Sequence, residues 1–289
     1  MITIDLLKDI ELNVIYKTWK KAFADYYVDM SYLTIDRMQN RARMDRVNYN
    51  LSVGAFYLDE LIGFLIIGID EINNELCAFD AGTGVIPEFQ GKGIAGSMFN
   101  FAITKLKSEG VKKFILEVIQ DNHTAIKAYK KQGFLKSRDF NCYKIETGLF
   151  TSKINNLPNL LIKRINKKDI RKYINYIDWE ISWEYNIDAI HNIQEELIID
   201  GAFINGSCVG FITYYPTLQW IFILAVKKEF RRQKIGSLLL AQLINKLKKE
   251  ISEIKINNIL PNHEMCLFLE MNGFKIYTTQ YEMIFSLKQ

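Results

Sequence analysis

The segment from Gly84 to Phe134 constrains the fold of this chain more than any other part of the sequence. It reads as the end of a strand, a glycine-rich turn, an amphipathic helix, a second strand and a second helix that ends near Gly133. The turn, residues 90–95 (QGKGIA), lies where the first helix is about to begin. The first N–H groups of a helix have no partner within it and lie at the positive end of its dipole, so the turn predicts an anion site. Pyrophosphate suits so many convergent donors, and the turn therefore indicates a nucleotide-like ligand.

The same turn also matches the G-x-G-x-x-G pattern of dinucleotide-binding proteins over residues 91–96, and Glu117 follows about 20 residues later. In such proteins an unbroken buried strand runs straight into the first glycine. Here Pro87, Glu88 and Gln90 intervene between the strand and that glycine. The dinucleotide interpretation is therefore disfavoured.

A longer pattern supports a different interpretation of this segment. Gln90-x-x-Gly93-x-Ala95 is followed by an apolar strand, residues 114–119 (FILEVI), and then by Asn122-x-x-Ala125-x-x-x-Tyr129-x-x-x-Gly133-Phe134. In its order and spacing this pattern resembles the acetyl-CoA-binding core of the GNAT N-acetyltransferase superfamily. Within that superfamily, residues 116–118 (LEV) with Asn122 and Tyr129 most resemble the ribosomal-protein alanine N-acetyltransferases.

That resemblance implies an α/β (α+β) fold, a twisted mixed β-sheet flanked by helices, in which the fourth and fifth strands splay apart. The pantetheine arm of acetyl-CoA would lie in the gap between these strands, and the acyl group would lie near Glu117 and Tyr129. Backbone N–H groups rather than side chains should bind most of the cofactor within the turn. The residues that the resemblance assigns to cofactor binding are Val85, Ile86, Gln90, Gly91, Lys92, Gly93, Ile94, Ala95, Gly96, Ser97, Asn122 and Tyr129.

Acetyl transfer to an amine needs a neutral amine and a proton for the departing thiolate. An alkyl amine has a pKa near that of lysine, about 10.4, so it is mostly protonated at neutral pH and a base must take its proton. The predicted catalytic residues are Glu117 as this base and Tyr129 as the acid. Asp80, in the preceding strand, is an alternative base or a substrate anchor, and the sequence leaves the choice between the two acids open.

Each of these residues also has a purely structural interpretation. Glu117 and Asp80 are compatible with polar positions on strands, and Tyr129 with a core aromatic on its helix. Asn122 is compatible with a helix cap, because its side-chain oxygen can accept a hydrogen bond from a helical N–H group. Residues 25–32 (DYYVDMSY) combine aromatics with acids, and they either recognise the acceptor or pack against the sheet.

The second half of the chain repeats motifs of the first half at a nearly constant offset. Residues 85–90 (VIPEFQ) recur as residues 226–231 (VKKEFR), an offset of 141 (226 − 85). The pattern from Asn122 to Phe134 recurs with an offset of 140 (262 − 122). Such offsets indicate an internal duplication, so we expect two tandem GNAT-like domains. The predicted division is a catalytic domain at 1–147, a linker at 148–159 and a second, degenerate domain at 160–289.

The two copies differ at the positions predicted to carry the chemistry. Gly93, Glu117 and Tyr129 of the first copy correspond to a lysine, an asparagine and a leucine in the second, namely Lys234, Asn257 and Leu269. The loss of an acid, a phenol and a turn glycine predicts that catalysis is confined to the first copy. Lys234 still offers a backbone N–H group, so the sequence leaves binding of CoA to the second copy open.

Composition and charge narrow the possible partners and location. The formal net charge is +4 with basic residues scattered along the chain, which argues against nucleic acid as a partner. The four cysteines are far apart and form no C-x-x-C pair, which favours reduced, mostly buried thiols and a cytoplasmic location. The histidines lack the spacing of a zinc motif, so no metal is expected. The N-terminus lacks the pattern of a secretion signal, and no apolar run reaches the ~20 residues of a membrane helix, so no membrane partner is expected.

These observations together predict an acetyl-CoA-dependent N-acetyltransferase that acts on a primary amine of a small molecule or of a peptide or protein N-terminus. Its partners would be acetyl-CoA, as co-substrate, and the amine acceptor. The alternative is a non-catalytic acyl-CoA-binding or interaction protein of the same fold. The sequence makes no prediction of the amine's identity or of the oligomeric state.

Overall fold

The computed structural model of the protein describes residues 1–24, 33–151, 157–193 and 197–287. Residues 25–32, which the sequence analysis assigned either to acceptor recognition or to packing against the sheet, lie outside this described part. The chain divides into two compact units. The first unit comprises Met1–Arg138 together with Tyr281–Gln289, and the second unit comprises Asp139–Gln280.

Each unit combines a mixed β-sheet with helices. In chain order the strands are β1 Ile2–Leu6, β2 Val53–Tyr57, β3 Glu60–Ile72, β4 Glu75–Val85, β5 Lys113–Ile119, β6 Leu135–Glu146, β7 Leu160–Arg164, β8 Ile198–Ile204, β9 Ser207–Tyr215, β10 Trp220–Val226, β11 Glu253–Ile259 and β12 Lys275–Ser286. The α-helices are α1 Leu12–Ala22, α2 Ile35–Met44, α3 Ile94–Ser108, α4 His123–Lys131, α5 Ile187–Asn192, α6 Ile235–Leu247 and α7 Glu264–Met271. Every described helix is too short or too polar to cross a membrane.

In the first unit the strand order is β1-β2-β3-β4-β5, followed by the C-terminal part of β12. Strands β1 to β4 are antiparallel neighbours, whereas β4 and β5 run parallel. The β4–β5 pairing covers only Cys77–Phe79 against Lys113–Ile115, although both strands continue. Their C-terminal ends are therefore unpaired with each other, which confirms the predicted splay of the fourth and fifth strands.

A β-bulge lies in β4 at the point where this splay begins. Ile67 pairs with Asp80 and Ile66 pairs with Gly82, so that Ala81 is an extra residue on β4. Such a bulge bends a strand and redirects the side chains around it. The extra residue, Ala81, comes two residues after Phe79, the last residue of β4 that pairs with β5.

Helix α3 follows the glycine-rich turn and covers this sheet. Its buried residues recur at helical spacing and belong to the core of the first unit: Ile94, Met98, Phe99, Ala102 and Leu106. Burying side chains of this size contributes about 1.5–3 kcal/mol for each of the larger ones. The apolar face of the helix therefore fixes the position of the turn at its N-terminus relative to the strands.

The two units exchange their last strands. Residues 139–146 of β6 pair antiparallel with β11 in the second unit. The C-terminal part of β12 lies in the first unit, where Met283 is fully buried and Phe285 contacts Phe134 with ring centroids 5.7 Å apart. The sequence-based division at 1–147, 148–159 and 160–289 instead placed residues 139–146 in the first domain and the C-terminal part of β12 in the second. Both strands follow a Gly-Phe pair and belong to equivalent positions of a duplicated chain, so their sequence pattern does not tell which sheet each one joins.

In the second unit the strand order is the end of β6, then β11-β10-β9-β8-β7. Strands β10 and β11 are parallel and pair only over Trp220–Ile221 with Lys255–Ile256, so they also separate towards their C-terminal ends. Strand β10 has a bulge at Phe222, which lies 141 positions after Ala81 (222 − 81). The duplication that the sequence predicted therefore extends to the bulge and to the splayed strands.

Candidate active site

The turn before α3 is held open by two glycines. Gly91 and Gly93 have φ values of 75° and 77°, a region that glycine adopts without strain, and a Cβ atom on either would meet nothing within 4 Å. Gly93 is the N-cap of α3, and its carbonyl accepts the first helical hydrogen bond, from the Ser97 N–H, at 3.1 Å. The N–H groups of the three residues between them have no partner within the helix: Ile94, Ala95 and Gly96. The turn thus presents backbone donors beside open space.

Side chains brace this turn rather than line it with charge. The Gln90 side-chain amide donates a hydrogen bond to the Val85 carbonyl oxygen at 2.9 Å. The Lys92 ammonium donates to the Glu88 carbonyl oxygen at 3.0 Å and lies 4.7 Å from the centre of the Phe89 ring. The N–H group of the predicted cofactor residue Ile86 donates to the Ile62 carbonyl oxygen at 2.9 Å. These bonds fix the turn to the end of β4, which leaves the backbone groups of the helix start as its available donors.

Asp80 lies at the bulge and accepts hydrogen bonds from three neighbours. The Gly82 N–H donates to Oδ1 at 3.0 Å, the Thr83 hydroxyl donates to Oδ2 at 2.8 Å, and the Tyr129 hydroxyl also donates to this carboxylate. Asp80 is only 8% exposed. Burial raises its pKa from 3.8 to about 6, and the three hydrogen bonds oppose that rise because they stabilise the ionised form.

Tyr129 combines a packed ring with a polar contact. Its half-buried ring meets Phe99 edge-on at 5.7 Å between centroids and lies 6.0 Å from Phe134. Its hydroxyl reaches Asp80, so helix α4 and strand β4 are joined at this point. Asn122 caps α4 by accepting a hydrogen bond from the Ala125 N–H at 3.1 Å, so the structure shows its capping role directly.

Glu117 is half-buried on β5, two residues beyond the last residue of that strand that pairs with β4. It therefore lies on the part of β5 that borders the gap between the splayed strands. The structure brings Asp80 and Tyr129 together by a hydrogen bond and places Glu117 on the neighbouring strand. The sequence analysis did not find the hydrogen bonds that Gly82 and Thr83 donate to Asp80. The available sign of a bulge was a glycine on each side of Thr83, Gly82 and Gly84, within a strand.

The equivalent place in the second unit has lost these groups. Ile221 precedes the bulge in β10, where Asp80 precedes the bulge in β4, so an aliphatic side chain takes the place of the acid. Asn257 takes the place of Glu117, and its side chain is used by two phenols: it donates to the Tyr185 hydroxyl at 2.7 Å and accepts from the Tyr277 hydroxyl at 2.8 Å. Leu269 takes the place of Tyr129 and is fully buried in the core of the second unit.

The cysteines agree with the sequence analysis, whereas the start of α7 departs from the repeat. The four cysteines are buried thiols, as the sequence predicted. The cap of α7 is His263, whose Nδ1 accepts from the Met265 N–H at 3.2 Å, rather than Asn262, which the offset of 140 had matched to Asn122. Helix α7 is one residue shorter than α4 at its start, and this shifts the cap by one position. Within the described residues, no group of three or more His, Cys, Asp or Glu side chains is placed to hold a metal ion.

The fold of the two units defines a class of proteins. The model of the acetyltransferase (GNAT) family matches residues 12–134 and, separately, residues 165–274. Together these ranges cover more than half of the chain, which therefore belongs to the GNAT family and consists of two tandem GNAT domains. No curated protein matches its sequence.

Solved structures support the tandem fold. A tandem GNAT protein from the clavulanic acid biosynthesis pathway has a TM-score of 0.78 at 12% identity, covering 100% of this chain and 99% of that chain. A GCN5-related N-acetyltransferase from Sphaerobacter thermophilus has a TM-score of 0.71 at 10% identity, covering 100% and 96%. Identities this low show the fold alone. The ribosomal-protein-S18-alanine N-acetyltransferase from Escherichia coli covers 48% of this chain and 81% of that chain at 21% identity, with a TM-score of 0.39, so the predicted likeness to that group is partial and weak.

Proposed function

We propose that this protein transfers an acetyl group from acetyl-CoA to a primary amine, on a small molecule or on a peptide or protein N-terminus, and that the reaction takes place in the first unit. The observation that carries this proposal is the hydrogen bond between Tyr129 and Asp80 beside the gap between β4 and β5. It joins a proton donor and a proton acceptor at one point, and both are replaced by aliphatic residues in the second unit. The buried thiols support a reducing, cytoplasmic setting for the reaction.

The turn and the strand ends suit acetyl-CoA. The open space around Gly91 and Gly93 and the N–H groups of the α3 N-terminus fit a pyrophosphate. The half-buried end of β4 borders the gap between β4 and β5, which would hold the pantetheine arm of acetyl-CoA. The cofactor residues are proposed to be those predicted from the sequence, with Gln90 and Asn122 acting by bracing the turn and capping α4. When bound, acetyl-CoA supplies the acetyl group as a thioester.

The residues of the first unit then handle two protons. We assign Asp80 to take the proton from the amine, because a carboxylate with a pKa of about 6 is ionised at neutral pH yet accepts a proton readily. Tyr129 holds the proton that the leaving sulfur needs, and its bond to Asp80 offers a route by which that proton is replaced. Glu117, the base predicted from the sequence, lies on the neighbouring strand and is the rival for the role of Asp80.

A direct assay distinguishes this proposal from a non-catalytic acyl-CoA-binding protein. The full chain is titrated with acetyl-CoA and then assayed for thiol release with a panel of amines, which includes peptides with an N-terminal alanine because of the partial sequence likeness described above. Turnover on any amine supports an acetyltransferase. Binding of acetyl-CoA without turnover across small amines, polyamines and peptides favours the non-catalytic alternative.

The turn provides a matched pair of variants that identifies the working unit. Gly93→Asp places a carboxylate at the start of α3, where it should repel the pyrophosphate and weaken acetyl-CoA binding about 100-fold. Gly93→Asn is the control, because asparagine tolerates the same backbone conformation without the charge. Lys234→Asp is the like change in the second unit and should leave turnover nearly intact. Equal loss of turnover in both aspartate variants would show that the working unit is misassigned.

The Asn257 network makes a prediction about stability rather than turnover. Asn257→Leu leaves the buried Tyr185 hydroxyl without its donor, which should lower the free energy of unfolding by about 1–3 kcal/mol. Urea unfolding measures this loss, and turnover should be unchanged at a temperature where the variant is folded. A folded Asn257→Leu protein that has lost turnover would place chemistry in the second unit.

A further inference from the structure

The second unit contains a cleft that the proposed reaction does not use. It has a volume of about 270 Å³ and lies between the end of β10, the turn before α6 and helix α7. Apolar residues form much of its lining, among them Leu224, Phe230 and Phe268. The N-terminus of α6 opens into it through Ile235, Gly236 and Ser237, whose N–H groups precede the first helical hydrogen bond, from the Leu238 N–H to the Lys234 carbonyl oxygen at 3.0 Å.

Acids of the same lining compensate most of its positive side chains. Arg231 donates to the Asp178 carboxylate at 2.7 Å, and its remaining nitrogens donate to the Val226 and Tyr176 carbonyl oxygens at 3.0 and 3.4 Å. Arg232 lies 3.7 Å from a carboxylate oxygen of Glu264. Lys234 forms no ion pair with any residue that the structure describes. The lining thus offers one uncompensated positive side chain, beside the donors of the helix start.

The rim of the cleft has apolar side chains on α7 at positions where the matching helix of the first unit, α4, has lysines. Leu267 and Met271 lie one turn apart on α7, line the cleft and are 62% and 84% exposed. The matching positions of α4, 140 residues earlier, are Lys127 and Lys131, both exposed. Apolar side chains this exposed at the mouth of a cleft favour a ligand with an apolar part. Lysines at the same places suit a ligand with several phosphates.

We propose that this cleft binds a medium-chain carboxylate, with the carboxylate at Lys234 and the α6 N-terminus and the alkyl chain against Leu267, Phe268 and Met271. A single negative charge matches the one uncompensated cation, and carboxylates are well accommodated at helix N-termini. A polyphosphate ligand would instead bring several negative charges to a lining in which two of the three positive side chains are already paired with Asp178 and Glu264. The site is separate from the proposed acetyl transfer and holds whether or not the first unit proves catalytic.

Isothermal titration of the full chain with decanoate tests this site. We expect saturable binding of one decanoate per chain. Decanol has the same alkyl chain without the charge, and it should bind at least about tenfold more weakly. Lys234→Gln removes the positive charge at an exposed position. The φ of 63° at this position strains lysine and glutamine alike, so the backbone cost is unchanged. The variant should bind decanoate about tenfold more weakly. The double variant Leu267→Asn with Met271→Gln keeps similar side-chain sizes at exposed positions and should weaken it at least as much.

The controls separate this cleft from the first unit. Lys127→Gln, at the position matched to Leu267, should leave decanoate affinity unchanged. Far-ultraviolet circular dichroism confirms that each variant is folded. The proposal is overturned if decanoate shows no saturable binding, or if both cleft variants bind it as wild type does. It is also overturned if CoA occupies two sites per chain and one of them is lost in Lys234→Gln, because the cleft is then a nucleotide site.

Discussion

Asp80→Asn is expected to lower the turnover number by about 10²–10⁴-fold, the range for a lost acid–base group. The amide has nearly the same shape and still accepts hydrogen bonds, but it takes up no proton. In the wild-type protein the rate should fall as the pH drops through about 6, because Asp80 becomes protonated there and is then unable to act as the proposed base. The variant should lack this acidic limb. A pH–rate profile of kcat/KM for both proteins measures the effect.

Stability provides the control for this variant, and its sign follows from the direction of the pKa shift. The pKa of Asp80 is raised on folding, from 3.8 to about 6, so the folded state binds the proton more tightly. Its contribution to stability is present at low pH and is lost as the pH rises from about 4 to about 6, a change of about 3 kcal/mol. Asp80→Asn lacks that slope in urea unfolding and stays folded at pH 7. If this folded variant turns over normally while Glu117→Gln does not, the base is Glu117.

Tyr129→Phe is expected to reduce turnover by a similar factor of about 10²–10⁴ while the affinity for acetyl-CoA changes little. The ring keeps its contacts with Phe99 and Phe134, so the fold is preserved and only the hydroxyl is lost. That hydroxyl also stabilises the ionised form of Asp80. Its removal should raise the pKa of Asp80, and the acidic limb of the pH–rate profile should move to higher pH.

The shift of the acidic limb distinguishes a chemical role from a packing role for Tyr129. A residue that only packs tolerates phenylalanine with near-normal turnover and an unchanged profile. Direct titration of acetyl-CoA separates loss of binding from loss of the chemical step. Near-normal turnover in a folded Tyr129→Phe protein would remove Tyr129 from the site, and water would then protonate the sulfur.

The sequence predicted those parts of the fold that depend on local patterns. The turn at residues 90–95 and the helix after it follow from glycines, helical spacing and an apolar face, all of which are short-range signals. The duplication and the splayed strands were also predicted, the first from constant offsets and the second from a family resemblance. The exchange of β6 and β12 was not predicted, because strand partners far apart in sequence are chosen by three-dimensional packing that periodicity does not encode.

The sequence named the candidate site residues but not the contacts between them. The sequence named Tyr129, Glu117 and Asp80, and it ranked Glu117 as the base from a family pattern. The structure adds the bulge at Ala81, which brings the Gly82 N–H and the Thr83 hydroxyl to Asp80. A pKa near 6 depends on that burial and on those donors, and neither is visible in a linear pattern of residues.

The exchanged strands have a consequence for the order of events during synthesis of the chain. Residues 281–287 supply Met283 and Leu287 to the core of the first unit, where they are 0% and 3% exposed. A ribosome makes the N-terminal part of a chain first, and domains commonly fold as they emerge. The first unit is unable to complete its sheet until these residues have left the ribosome, so its nascent form waits with the edge of β5 uncovered while the whole second unit is translated. The half that begins first is thus completed last, and throughout that interval the uncovered edge of β5 is a template for pairing with another chain.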